Sequence, residues 1–240
     1  MKWKKGLLSS LVLLAAMPVL LNVRAFSDET FEMTIDNRFR RAGDSYLWQT
    51  EDGSANINVV VNRNEQHLNI WDVDQSYLSD LESQFVEEID RHMASMYEDS
   101  YTTVNSIQTF LTTVGEYPAI AIDAEIQYVV RGNMADTHQY SYTLTSKKYV
   151  YTITFTMGRG VTDDALYASG MDMVRSFVIR DEVYTEKSPH LELASVLLAG
   201  VVGACISGGI VLLIVLLNRR KKPAPPPSNP PYPPYPPAVS

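Results

Sequence analysis

The side chains able to do chemistry are few and widely spaced. The four histidines, His67, His92, His138 and His190, are scattered, and none falls in a His-Glu-x-x-His or comparable metal pattern. Glu88 and His92 are one helical turn apart and could form the edge of a metal site, but a solvated i,i+4 pair is the commoner explanation. Asp72-Val73-Asp74-Gln75-Ser76 opens like a calcium loop. An EF-hand would need glycine where Tyr77 stands and a bidentate glutamate where Ser83 stands, so helix capping by Asp74 or Ser76 is the simpler use of these oxygens. No Gly-x-Ser-x-Gly elbow, phosphate-cradling glycine loop or dinucleotide fingerprint occurs. Cys205 is the single cysteine and lies within a long apolar run, which leaves the rest of the chain without a thiol nucleophile, a thiolate metal site or a disulfide. The residues therefore nominate no catalytic, metal or cofactor set.

Recognition and anchoring are more legible. Leu193 to Leu217 is a run of 25 residues without a charge, followed at once by Arg219-Arg220-Lys221-Lys222. At about 1.5 Å per residue, a helix of that length reaches roughly 37 Å, enough to cross a hydrocarbon core of about 30 Å with some tilt. The basic cluster is then the cytoplasmic stop. At the other end, Lys2, Lys4 and Lys5 precede a short apolar stretch, and Val23-Arg24-Ala25 offers a signal-peptidase site. An uncleaved first anchor is the alternative. Both readings expect residues 26–192 to be extracytoplasmic and residues 218–240 cytoplasmic, and cleavage leaves a single-pass cell-membrane protein.

Small residues recur inside the run. Gly200, Gly203, Ala204, Ser207 and Gly208 are spaced so that two helix backbones could approach, which makes a homodimer through the membrane helix a candidate partnership. Beyond it, residues 223–240 include ten prolines among 18 positions, which excludes helix and sheet and favours polyproline II. Pro230, Pro231, Tyr232, Pro233, Pro234 and Tyr235 put two tyrosines one polyproline turn apart, an edge that an aromatic groove on a cytoplasmic protein partner could read.

Charge follows the same boundaries. Residues 26–192 hold all 28 Asp and Glu but 12 of the 20 Lys and Arg, a net charge of −16 against −8 for the whole chain. Such a field opposes binding to nucleic acid and anionic lipid; it could attract cations, basic peptides or a cationic polymer, but plain solubility outside a cell is the commoner reason for it. A cysteine-free exported domain also suits a bacterial cell surface.

The elements expected to position these residues are strands around two helices. Phe31, Met33 and Ile35 alternate, and segments 45–49 and 57–61 read as strands, with turns at Gly43-Asp44 and Asp52-Gly53. After Asp74, the residues Leu78, Leu81, Phe85, Ile89, Met93 and Met96 recur at three and four, one face of a helix. Four β segments follow, 102–114, 119–130, 137–145 and 149–157, and then a second helix capped near Thr162-Asp163-Asp164 that turns Leu166, Met173 and Val174 inward. Phe177-Val178-Ile179 closes the domain.

Gly115-Glu116-Tyr117-Pro118-Ala119 leading into a strand, and Met173-Val174-Arg175-Ser176-Phe177-Val178-Ile179 at the end, resemble marks of the PsbP-like fold family. The resemblance covers most of residues 26–180. It implies an α+β fold, an α/β/α sandwich with a central antiparallel sheet, used as a binding or assembly module without a shared catalytic set. The functional expectation is a membrane-anchored, extracytoplasmic, non-catalytic binding or scaffold protein with a proline-rich docking tail. The alternative is a membrane-tethered hydrolase or metal-dependent enzyme, which would need carboxylates converging in a deep polar pocket.

Overall fold

Alternating apolar residues build two sheets in the computed structural model, which describes residues 23–43 and 45–187 together with Cys205, Ile206 and Gly209. The signal segment before Val23, the proline–tyrosine tail, the basic stop and all of the 193–217 run except those three positions lie outside the described residues. Among the described residues no helix is long and apolar enough to cross a membrane.

The strands are β1 (Val23–Ser27), β2 (Phe31–Asp36), β3 (Phe39–Arg41), β4 (Leu47–Thr50), β5 (Ala55–Arg63), β6 (Ser100–Val114), β7 (Tyr117–Val130), β8 (Asn133–Thr145), β9 (Tyr149–Gly158) and β10 (Val178–Ile179). Two helices, α1 (Gln75–Met96) and α2 (Asp164–Arg175), complete an α+β domain. The large sheet runs β3-β4-β5-β9-β8-β7-β6, and a small one runs β1-β2-β10. Every recorded strand pairing is antiparallel.

Turn chemistry sets the register of the long hairpins. Arg131 and Gly132 both have positive φ, 50° and 74°, as a two-residue type I′ turn requires, and they join β7 to β8 with Val130 opposite Asn133. Gly115, at φ 57°, opens the tight turn between β6 and β7. Tyr117 and Pro118, expected in that turn, are already strand, opposite Val114 and Thr113.

Each face of the large sheet buries its own cluster. On one, Ile57, Tyr151, Ile153 and Phe155 meet Phe31, Met33 and Ile35 of the small sheet and Leu166, Met173 and Val174 of α2. Gly170 lets α2 come close, because a Cβ there would stand 2.3 Å from the Phe155 ring. On the other face, Ile120, Ile122, Ala124, Ile126 and Tyr128 of β7 lie with Leu78, Leu81, Phe85, Ile89 and Met93 of α1, and Cys205 and Ile206 join them. Met96, expected on the buried stripe, is exposed, and Tyr97 packs partly there instead. Asp74 caps α1 by accepting from Tyr77 N at 3.0 Å, and Asp163 caps α2 by accepting from Leu166 N at 2.9 Å.

The first strand crosses the expected cleavage point. Val23, Arg24 and Ala25 are exposed, while Phe26 packs among Phe31, Tyr46 and Trp48 at ring separations of 5.5, 5.8 and 5.0 Å. A chain cut after Ala25 keeps the aromatic anchor and loses the pairing of Val23, Arg24 and Ala25 with β2 and the 2.9 Å bond from Arg24 Nη2 to Phe39 O.

Candidate functional site

The richest cluster of polar chemistry forms where β7, β8 and β9 meet the start of α2. Alternation puts Asp123 and Glu125 on one face of β7, and His138 and Tyr140 on the same face of β8. The register then sets Glu125 opposite His138 and Asp123 opposite Tyr140. His138 Nε2 lies 2.6 Å from Asp123 Oδ1, a diagonal cross-strand contact, and its Nδ1 lies 3.1 Å from Tyr140 OH. The imidazole and phenol rings overlap at 4.3 Å between centroids.

Aromatic rings extend the cluster toward α2. Tyr140 meets Tyr167 edge-on at 5.3 Å and stacks on Phe155 at 6.2 Å. Arg159, on the β9–α2 connection, places Nη2 3.6 Å from Glu125 Oε2 and holds its own backbone N–H on Asp136 O at 2.8 Å. Together with Met157, Thr162, Asp163 and Asp164, the residues Glu125, His138, Tyr140, Arg159 and Tyr167 line a cleft of about 200 Å³ open to solvent. Ligand pockets are commonly about 300–1,000 Å³, so this cleft suits one side chain or a small amine and is too small for a metabolite of ordinary size.

The electrostatics favour holding a cation over activating a nucleophile. Burial, reinforced by the charge of Asp123, pushes the Tyr140 phenol well above its ordinary value. A nucleophilic phenol would need the opposite shift. Both nitrogens of His138 are already in hydrogen bonds. Tyr167 is 39% exposed and offers its ring at the mouth beside Asp163 and Asp164, an arrangement suited to cation–π contact backed by carboxylates.

The residues singled out from sequence fall differently. Glu88 pairs with Arg91, and His92 is exposed on the outer side of α1. His67 is exposed in a loop at φ 54°. Asp74 serves as a cap, and Glu82 accepts from Thr109 N at 2.7 Å and so ties α1 to β6. No group of three or more His, Cys, Asp or Glu side chains is placed to hold a metal among the described residues. Gly200, Gly203, Ala204, Ser207 and Gly208, the cluster Arg219 to Lys222, and Pro230 to Tyr235 lie outside the described residues.

Sequence reasoning passed over His138 as one of four scattered histidines. The signal was present: Asp-x-Glu on one strand and His-x-Tyr on the next, joined by a two-residue turn that fixes their register.

No family model and no curated protein matches the chain. Among solved structures, the domain is similar in fold to cyanobacterial PsbP (CyanoP) from Synechocystis sp. PCC 6803, with 12% identity and a TM-score of 0.45 over 66% of this chain and 92% of that one. It is also similar to the Ran-binding protein Mog1p of Saccharomyces cerevisiae, with 12% identity and a TM-score of 0.36 over 67% and 96%. A third is LpqN of Mycobacterium tuberculosis, which is involved in cell envelope biogenesis, with 9% identity and a TM-score of 0.33 over 65% and 90%. The likeness is one of PsbP-like chain path, and no residue role is transferred from it.

Proposed function

We propose that this chain is a single-pass membrane protein whose outer α+β domain is a non-catalytic binding module for a cationic group on a protein partner. The observation that carries the binding reading is the cleft at Tyr140, His138 and Tyr167. It is small and aromatic-walled, and its rim carries Asp163 and Asp164 beside the Glu125–Arg159 ion pair, on a domain of net charge −16. A lysine or arginine side chain fits both its volume and its charge. The anchor is the uncharged run 193–217 with its basic stop, and residues 230–235 are the cytoplasmic docking handle.

The tethered-enzyme alternative draws on one feature, the Asp123–His138–Tyr140 chain of hydrogen bonds. The open, shallow cleft and the raised phenol argue against it. Titration of the full chain in nanodiscs with short Lys- and Arg-containing peptides tests the proposal. Binding should weaken about tenfold in Tyr167→Ala, the equivalent of about 1.4 kcal/mol, within the range of a partly desolvated cation–π contact. Equal affinity for wild type and variant, or no preference over an acidic peptide, contradicts it. For the tail, a peptide of residues 223–240 should retain a cytoplasmic partner that a Tyr232/Tyr235→Ala peptide loses.

A further inference from the structure

Beyond the apolar patch under α1, the same face of the large sheet presents a neutral polar surface. Asn56, Asn58, Gln139, Ser141, Thr154 and Thr156 are each 5% exposed or less. Part of it is self-satisfied, as where Ser141 Oγ lies 2.8 Å from Thr154 Oγ1. Cys205, Ile206 and Gly209, all helical, are seated on this face.

The contacts are specific. Gln139 Nε2 and Tyr128 OH both donate to the Cys205 carbonyl oxygen, at 3.1 and 3.2 Å. Cys205 Sγ lies 3.1 Å from Ser141 Oγ. Gly209, one helical turn further on, meets the Tyr128 ring so closely that a Cβ there would stand 2.3 Å from it. Positions 205 and 209 share one helix face, and only small residues allow that face to reach the sheet.

We propose that the segment around Cys205 has two alternative seats, this sheet face in the absence of a bilayer and the membrane core in its presence, so that the outer domain shields its own anchor before insertion. The proposal rests on the membrane-anchor reading and adds a docked state to it. The docked seat is imperfect, because Gln139 Oε1 and the neighbouring Thr156 Oγ1 are buried with no hydrogen-bond partner among the described residues. Unmet polar groups under an apolar cover destabilise the docked form, and release returns them to water. In the bilayer, the Leu, Ile and Val of the run are favourable residue by residue. The exchange therefore runs toward the membrane whenever one is available.

The sole native cysteine makes the docked state directly readable. In a full-length Ser141→Cys variant, two thiols stand at the observed contact, and copper–phenanthroline oxidises them to a disulfide, accepting two electrons as two protons leave. Full-length chain translated without membranes should cross-link at least tenfold more than chain integrated into vesicles, scored by non-reducing mobility. Adding Gly209→Leu should reduce the membrane-free cross-link at least tenfold while leaving carbonate-resistant integration unchanged. Thr154→Cys, whose native hydroxyl also faces the Cys205 sulfur, supplies a second pair should the first variant misfold. No cross-link from either pair, equal cross-linking with and without membranes, or indifference to Gly209→Leu overturns the exchange. Carbonate extraction reports separately on the anchor, so the two readings fail by different measurements.

Discussion

His138 is held at both ring nitrogens, so it cannot pass a proton to a substrate without first breaking a bond to Asp123 or Tyr140. Its role at this scale is to orient Tyr140, whose ring forms the inner wall of the cleft. His138→Ala should therefore weaken binding of a basic peptide by loosening that wall, while His138→Gln, which keeps one donor and one acceptor, should restore part of the affinity; nanodisc titration distinguishes the two. A second residue-scale prediction concerns Asp28. Partial burial pushes its pKa up, but hydrogen bonds from Tyr46, from Thr30 and Phe31 N–H, and from the Thr30 hydroxyl outweigh that, so the net shift is downward from 3.8. A lowered folded pKa contributes stability that is present above the unfolded value of about 3.9 and is lost as pH falls through the folded value. Asp28→Asn should thus melt below wild type at neutral pH, with the gap closing below about pH 4; a gap that widens in acid would sink this assignment. The local bonds from Thr30 and Phe31 are of a kind an Asp-x-Thr turn offers, but the Tyr46 contact is not readable from residue type, because it forms only after β2 and β3 bring position 46 back to Asp28.

At the scale of elements, more was legible. The three–four spacing of Leu78 to Met93 predicts α1 and its buried face, and Asp74 caps it as expected, so Asp74→Ala should lower stability by about 1 kcal/mol in denaturant unfolding. The stripe fails at Met96 because the helix ends there and the chain turns away, leaving Tyr97 to cover the core. Period-two alternation locates β7, β8 and β9, yet β3 (Phe39–Arg41) is too short to show a period and β1 is hidden in the end of the signal segment. Register decides which polar residues meet, and it depends on turn type. Arg131 takes a positive φ that its residue type does not advertise, although Gly132 beside it does. The α2–β9 approach depends on Gly170, where even a methyl group collides with Phe155. Gly170→Ala should cost about 1–3 kcal/mol, as overpacking in a filled core does, and should also weaken peptide binding because Phe155 supports Tyr140. Unchanged melting would show that α2 can shift freely, against the tight fit described.

For the whole molecule, charge and hydropathy along the chain organise function more plainly than any single site. An acidic stretch of net charge −16, residues 26–192, lies between an apolar N-terminal stretch and an uncharged run closed by four basic residues. A field of that size makes binding of a basic partner dependent on salt, so affinity should fall steadily between about 0.05 and 0.5 M ionic strength as the Debye length shrinks. Length and apolarity mark residues 193–217 as the expected anchor, whereas the sheet face on which Cys205 sits is not legible in the sequence, because its partners Tyr128, Gln139 and Ser141 lie 77, 66 and 64 positions upstream. The central claim is that the binding domain stands outside a membrane on one helix with its tail inside. Protease treatment of sealed, right-side-out vesicles carrying the full chain with a C-terminal epitope tests it most directly. The account predicts that the domain is digested and that a short, carbonate-resistant fragment keeps the epitope until detergent opens the vesicles. Digestion of the epitope in sealed vesicles, or release of the whole chain by carbonate, would contradict it.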